Sequence, residues 1–133
     1  MICATGYNLS FPFLPNNLLK IKNDVVELYG GCTLSNAKNL YLFGTLQPRY
    51  GFGPLMTPLA QSLARMIIMQ DKMHLPIGLV LKAIGDRPPK THLIDPIESI
   101  RKLKSFKSRC KFLPFVEKIL RQRYRNYQTK IAQ

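Results

Sequence analysis

The chain has 133 residues, 46% of them apolar, 20% charged and 10% aromatic, and twenty Lys and Arg against seven Asp and Glu leave a formal net charge of +13. At this length one compact domain is the upper bound, and the supply of Leu, Ile, Val and Phe argues against intrinsic disorder. Collagen, coiled-coil and mucin-like classes are excluded by the lack of a short period. Ten Pro and eight Gly, widely spread, point to several short elements.

In chain order, Met1-Ile2-Cys3-Ala4 reads as the apolar end of a buried strand that runs at once into Thr5-Gly6-Tyr7. Phe11-Pro12-Phe13-Leu14-Pro15 is an extended apolar linker or loop, because its prolines cannot join a central ladder. A strand is expected over Asp24–Tyr29, stopping at Gly30-Gly31, and a second over Asn39–Gly44. Thr45 to Pro54 reads as a loop. Thr57 as N-cap and Pro58 as first helical residue predict a helix over 58–72, with Leu59, Leu63, Met66, Ile67 and Gln70 at helical spacing. Pro76–Ile84 is a short helix closed by Gly85, and two further helices are expected from Asp95-Pro96 to Ser108 and from Pro114 to Tyr127.

Two segments resemble one enzyme family. Cys3-Ala4-Thr5-Gly6-Tyr7 followed by Phe11-Pro12-Phe13-Leu14 is similar to the linker of flavin-containing monooxygenases, where the chain returns from the NADPH domain to the FAD domain. About 30 residues on, Asn39-Leu40-Tyr41-Leu42-Phe43-Gly44-Thr45-Leu46-Gln47-Pro48 resembles the strand and flavin-side loop near that family's C-terminal end, and Gly51, Pro54 and Gln61 continue the match. The resemblance covers residues 1–70. It implies FAD and NADPH as cofactors and oxygenation of a small organic substrate through a flavin hydroperoxide, chemistry in which few side chains need be catalytic, and none is named. It further implies that Gly44, Thr45, Gln47, Pro48 and Gly51 face the flavin, and that Thr5, Gly6 and Tyr7 form the inter-domain linker.

The departures are as informative. Neither of the family's two Gly-x-Gly-x-x-Gly fingerprints occurs; Gly51-Phe52-Gly53-Pro54 lacks the third glycine and puts proline at the entry to the helix. The family's Glu-Leu-Gln-Ala-Arg helix reads here Leu59-Ala60-Gln61-Ser62-Leu63, without the acid or the arginine. The expected fold is therefore an incomplete, C-terminal part of a two-domain Rossmann-like α/β flavoprotein, short strands followed by about four helices. Residues 1–54 would form the linker and FAD-domain remnant, and residues 55–133 a helical region with a basic tail. Such a chain would be inactive alone, its first 54 residues poorly self-sufficient and its partner a missing N-terminal chain or domain.

Other candidate sites have simpler explanations. His74 and His92 have no Glu or Cys at ligand spacing, and Cys3, Cys32 and Cys110 form no CxxC, so no metal is expected. Asp95 and Glu98 suit a helix start. Cys32 has no base beside it in sequence. With no signal peptide, a cytoplasmic setting is the default, and no apolar stretch reaches the length of a membrane span.

The charge is concentrated at one end. Residues 100–133 carry eleven basic residues and one acid, Glu117. On the last helix Phe115, Val116, Ile119, Leu120, Tyr124 and Tyr127 gather on one broad face, with Lys118, Arg121, Arg123 and Arg125 on its flanks and back. Three partners fit this pattern: the body of the parent enzyme, an anionic membrane surface reached peripherally, or nucleic acid. No nucleic-acid-binding module signature is present.

Overall fold

The computed structural model describes residues 10–15, 17–49 and 51–131, with 124–131 described as backbone. Met1–Ala4 and the linker residues Thr5, Gly6 and Tyr7 lie outside the described residues. Among the described residues the architecture is a small α/β arrangement of two short two-stranded sheets and four helices, with no dinucleotide-binding sheet.

The first sheet pairs β1 (Ile21–Lys22) with β2 (Val25–Val26), antiparallel, with Ile21 opposite Val26. The two residues between them, Asn23 and Asp24, have φ of 51° and 57°. Positive φ at both central positions makes a tight hairpin turn whose twist matches its strands, and Asn and Asp tolerate that conformation best after glycine. The strand expected over Asp24–Tyr29 is thus shortened to Val25–Val26: Asp24 is a turn residue, and Tyr29 already bends into Gly30-Gly31. There Tyr29 and Thr33 bridge, and Thr33 in turn bridges Tyr41. That isolated bridge is what remains of the strand expected over Asn39–Gly44, because Asn39 turns the chain at φ 61° and Gly44 at 81°.

Part of the segment expected to be a loop is a strand. β3 (Gln47–Pro48) pairs in parallel with β4 (Leu93–Ile94), joined by N–H donations from Gln47 to the His92 carbonyl (2.7 Å) and from Arg49 to that of Ile94 (3.3 Å). In a parallel pair alternate N–H groups face the neighbour. Pro48 falls on the position facing away, so its missing donor costs nothing.

Helix α1 spans Gly53–Asp71, five residues earlier than Thr57-Pro58 suggests. Pro54 takes the favoured place in the first turn, Thr57 is an exposed residue of the second turn, and Pro58 lies inside the helix. Helix α2 covers Ile77–Ala83, α3 Pro96–Arg109 and α4 Leu113–Ile131, the last two joined by a 3-10 turn at Cys110–Phe112. Asp95 caps α3 by accepting from the backbone N–H of Ile97 (2.8 Å) and Glu98 (3.0 Å), so its carboxylate is committed to the helix start.

The N-terminal segment and the helices share one core. Tyr29 and Cys32 are buried with Met66 of α1, Met73, Ile77, Val80 and Leu81 in and before α2, and Cys110 and Leu113 at the α3–α4 corner. A second cluster of Val26, Leu28, Leu34 and Leu42 is covered by Phe11, Leu14, Leu18 and Leu19. Of the two expectations for Phe11 to Pro15, linker or loop, the loop is the one formed: Leu14 N–H turns back to the Phe11 carbonyl (3.0 Å).

The connection from α1 to α2 is held by three side chains from distant parts of the chain. Gln70, 1% exposed, accepts from Ile77 N–H (2.7 Å) and donates to the Leu75 carbonyl (3.0 Å). Glu117 of α4, 3% exposed, accepts from the N–H groups of His74 and Leu75, both at 2.8 Å. The Lys38 ammonium donates to the Met73 carbonyl (2.6 Å). Beside this turn, a Cβ on Gly78 would sit 2.3 Å from the Leu34 carbonyl oxygen, so α2 and the strand region meet backbone to backbone.

Glu117→Ala leaves two N–H groups without their acceptor and is expected to lower stability by about 2–3 kcal/mol, with Glu117→Gln losing less because one acceptor oxygen remains. Gly78→Ala forces the two backbones apart at a cost of about 2–3 kcal/mol. Urea midpoints at constant m-value measure both.

Candidate functional site

Where β3–β4 and the three helices α1, α2 and α3 meet the Gly30-Gly31 turn, they enclose a groove of about 540 Å³. Its floor is apolar, formed by Leu28, Leu55, Leu59, Leu81, Leu103 and Leu113. Gly31 and Gly44 form part of the wall with φ of 79° and 81°, and nothing lies within 4 Å of where either Cβ would be. Bare backbone faces open space there, which lets a flat ring approach closely. Arg87, Lys102 and Arg109 supply a basic rim. Lys102 is paired to Glu98 at 2.7 Å, and the acidic rim residue Asp86 accepts from Gly30 N–H, also at 2.7 Å.

Of the five residues expected to face a flavin, the structure brings Gly44 and Thr45 to this groove together with their neighbour Leu46. Gln47 and Pro48 are occupied in the β3–β4 pair, with Gln47 exposed, and Gly51 stands outside the groove, exposed and at φ 91°. Phe43 of the same segment lines it too, as do Gly31, Phe52 and Arg87, which are not among the expected site residues. The double glycine at 30–31 was the available signal, read there only as a strand end.

The start of α1 is a poor anion cradle. The N–H groups of Leu55 and Met56 both turn onto the Phe52 carbonyl, at 2.9 and 3.1 Å, and Pro54 has none. Among the first-turn donors this leaves Gly53, far short of the row of free amides that a pyrophosphate needs. Thr57 and Pro58 line a separate, smaller cavity of about 360 Å³ between α1 and α3. The groove's bare glycine wall and apolar floor leave room for a flat apolar ring, whereas no dinucleotide cradle is formed among the described residues.

The other ionisable groups are structural. Cys32 is buried with its thiol 3.6 Å from the Met66 sulfur, and burial pushes that thiol up to about 12. The Tyr29 hydroxyl donates to Glu27 at 2.5 Å, which holds the Glu27 carboxyl below its usual range, and Lys82 approaches the same carboxylate at 3.6 Å. No group of three or more His, Cys, Asp and Glu that could hold a metal ion occurs among the described residues. No family model, curated protein or solved structure matches the chain.

The Cys32 thiol fixes the sign of an alkaline effect. Its folded value lies above the ordinary 9.0, so its contribution to stability is complete below pH 9 and is lost as the pH rises from 9 towards about 12. Burial also raises the Tyr29 and Tyr41 hydroxyls, so they act in the same direction. Denaturant midpoints of the wild type should therefore fall more steeply above pH 9 than those of Cys32→Val, and the difference between the two isolates the thiol.

Proposed function

We propose that the chain is the C-terminal portion of an FAD- and NADPH-dependent monooxygenase and that it supplies the wall against which the flavin ring lies. The observation that carries this reading is the position of Gly44-Thr45. The pair lies within the segment Asn39–Pro48 that resembles the family's strand and flavin-side loop, and it opens onto the groove with uncovered backbone at Gly44. The apolar floor would exclude water from the ring, and the Thr45 hydroxyl and nearby backbone would orient it. Arg87, Lys102 and Arg109 offer positive charge at the rim but no fixed array of amides. When bound, the flavin supplies the redox and oxygen chemistry; this chain's own residues hold and orient.

The missing fingerprints give the proposal its second half. The pyrophosphates of FAD and NADPH would be held by a partner chain or domain that carries the glycine-rich turns, in the same cytoplasmic setting, and the small-molecule substrate would reach the ring between the two. Alone, this chain would not turn over.

The proposal has a direct test in solution. Fluorescence titration should give riboflavin and FAD the same affinity within about threefold, since only the ring is recognised, with no NADPH oxidation. Thr45→Phe, which fills the groove without touching a positive-φ residue, should weaken both at least tenfold. Absence of flavin binding would overturn the ring-wall reading. FAD bound far more tightly than riboflavin, or NADPH turnover by the chain alone, would show that it builds its own phosphate cradle.

A further inference from the structure

Helix α4 has a wider apolar face than the body of the protein covers. Val116 and Leu120 pack on the main core beside Leu113, whereas Phe115 and Ile119 on the same broad face remain 65% and 41% exposed. Phe112, at the preceding corner, is 57% exposed. Residues 112, 115 and 119 follow the three- and four-residue spacing of one helical stripe. Lys111 and Lys118, four before and three after Phe115, flank it, and both are exposed.

The charge around this stripe has one sign. Residues 100–133 hold eleven basic residues and a single acid, Glu117, which is buried and engaged with His74 and Leu75. A partner for this face must therefore be anionic and must also accept bulky hydrocarbon. An anionic lipid surface meets both demands: apolar side chains enter the acyl boundary while the lysines reach the headgroups. Nucleic acid fits less well. Ile119 offers no stacking surface, and the Phe112 ring already carries the Lys111 ammonium 5.3 Å from its centroid. No described helix is long and apolar enough to cross a membrane, so the contact would be peripheral.

We infer that the Phe112–Phe115–Ile119 stripe, flanked by Lys111 and Lys118, docks this protein on anionic bilayer surfaces. This inference stands apart from the flavin reading and uses no groove residue. The full chain should sediment with vesicles of phosphatidylcholine containing about one-third phosphatidylserine at least tenfold more tightly than with phosphatidylcholine alone, and raising salt from ~0.05 to ~0.5 M should weaken that binding at least tenfold. Phe112→Ser with Phe115→Ser should cost a further tenfold or more at unchanged helix content. Because the chain has no Trp, Phe115→Trp provides an independent reporter whose emission should shift to the blue on adding the anionic vesicles. No binding to anionic vesicles, an unshifted Trp emission, a double variant that binds as the wild type, or preference for a single-stranded oligonucleotide over vesicles would overturn the inference.

Discussion

The arrangement depends on how the five residues Met73–Ile77 are held. Their backbone turns from α1 into α2 between buried Met73 and buried Ile77, partly shielded from water, and an unpaired amide or carbonyl there is costly. Gln70 and Glu117 supply acceptors for three N–H groups, and Gln70 and Lys38 supply donors for two carbonyls. Because the three side chains come from α1, α4 and the segment before β3, the same hydrogen bonds tie those parts together. A buried carboxylate is tolerated here because its oxygen meets two backbone donors at short range.

The groove follows from that tie. With α2 fixed against Leu34 through Gly78, Leu81 reaches the Gly30-Gly31 turn, and a Cβ on Gly30 would collide with Met66 and Leu81 at 2.8 and 2.9 Å. The glycine turn therefore packs on one side, at Gly30, and faces open space on the other, at Gly31. Gly44 opens onto the same space from the opposite stretch of chain. What results is an apolar recess with bare backbone in its wall and positive charge on its rim, a surface suited to a flat ring and lacking a row of amides for phosphate.

The helices were legible in sequence and the strands were not, for a physical reason. Asp95-Pro96, Gly85, Pro114 and the apolar spacing of α1 are local signals that act within one or two turns, and each of the four helices begins or ends within a residue or two of where those signals put it. The strands are two residues long and depend on partners far away: β3 finds β4 across α1 and α2, a pairing no local pattern encodes. Asn23-Asp24 is a turn dipeptide between Lys-Ile-Lys and Val-Val, but the alternation over Asp24–Tyr29 suggests a six-residue strand where only Val25–Val26 pair. At the start of α1, Thr57-Pro58 is a good cap by composition, yet Gly53-Pro54 offers an earlier start and the helix takes it. In the groove, Gly44 and Thr45 come from one continuous segment, whereas Gly31, Phe52 and Arg87 join them only through tertiary packing.

In the proposed arrangement a flavin ring lies on Gly44-Thr45 and the described residues hold nothing of the phosphates. An amide NMR titration of the full chain with riboflavin tests it at the level of single residues. Shifts are expected at Gly31, Gly44 and Thr45, and the same shifts with FAD. Shifts confined to the α1 start, or no shift at Gly44 and Thr45 at saturating riboflavin, would contradict it.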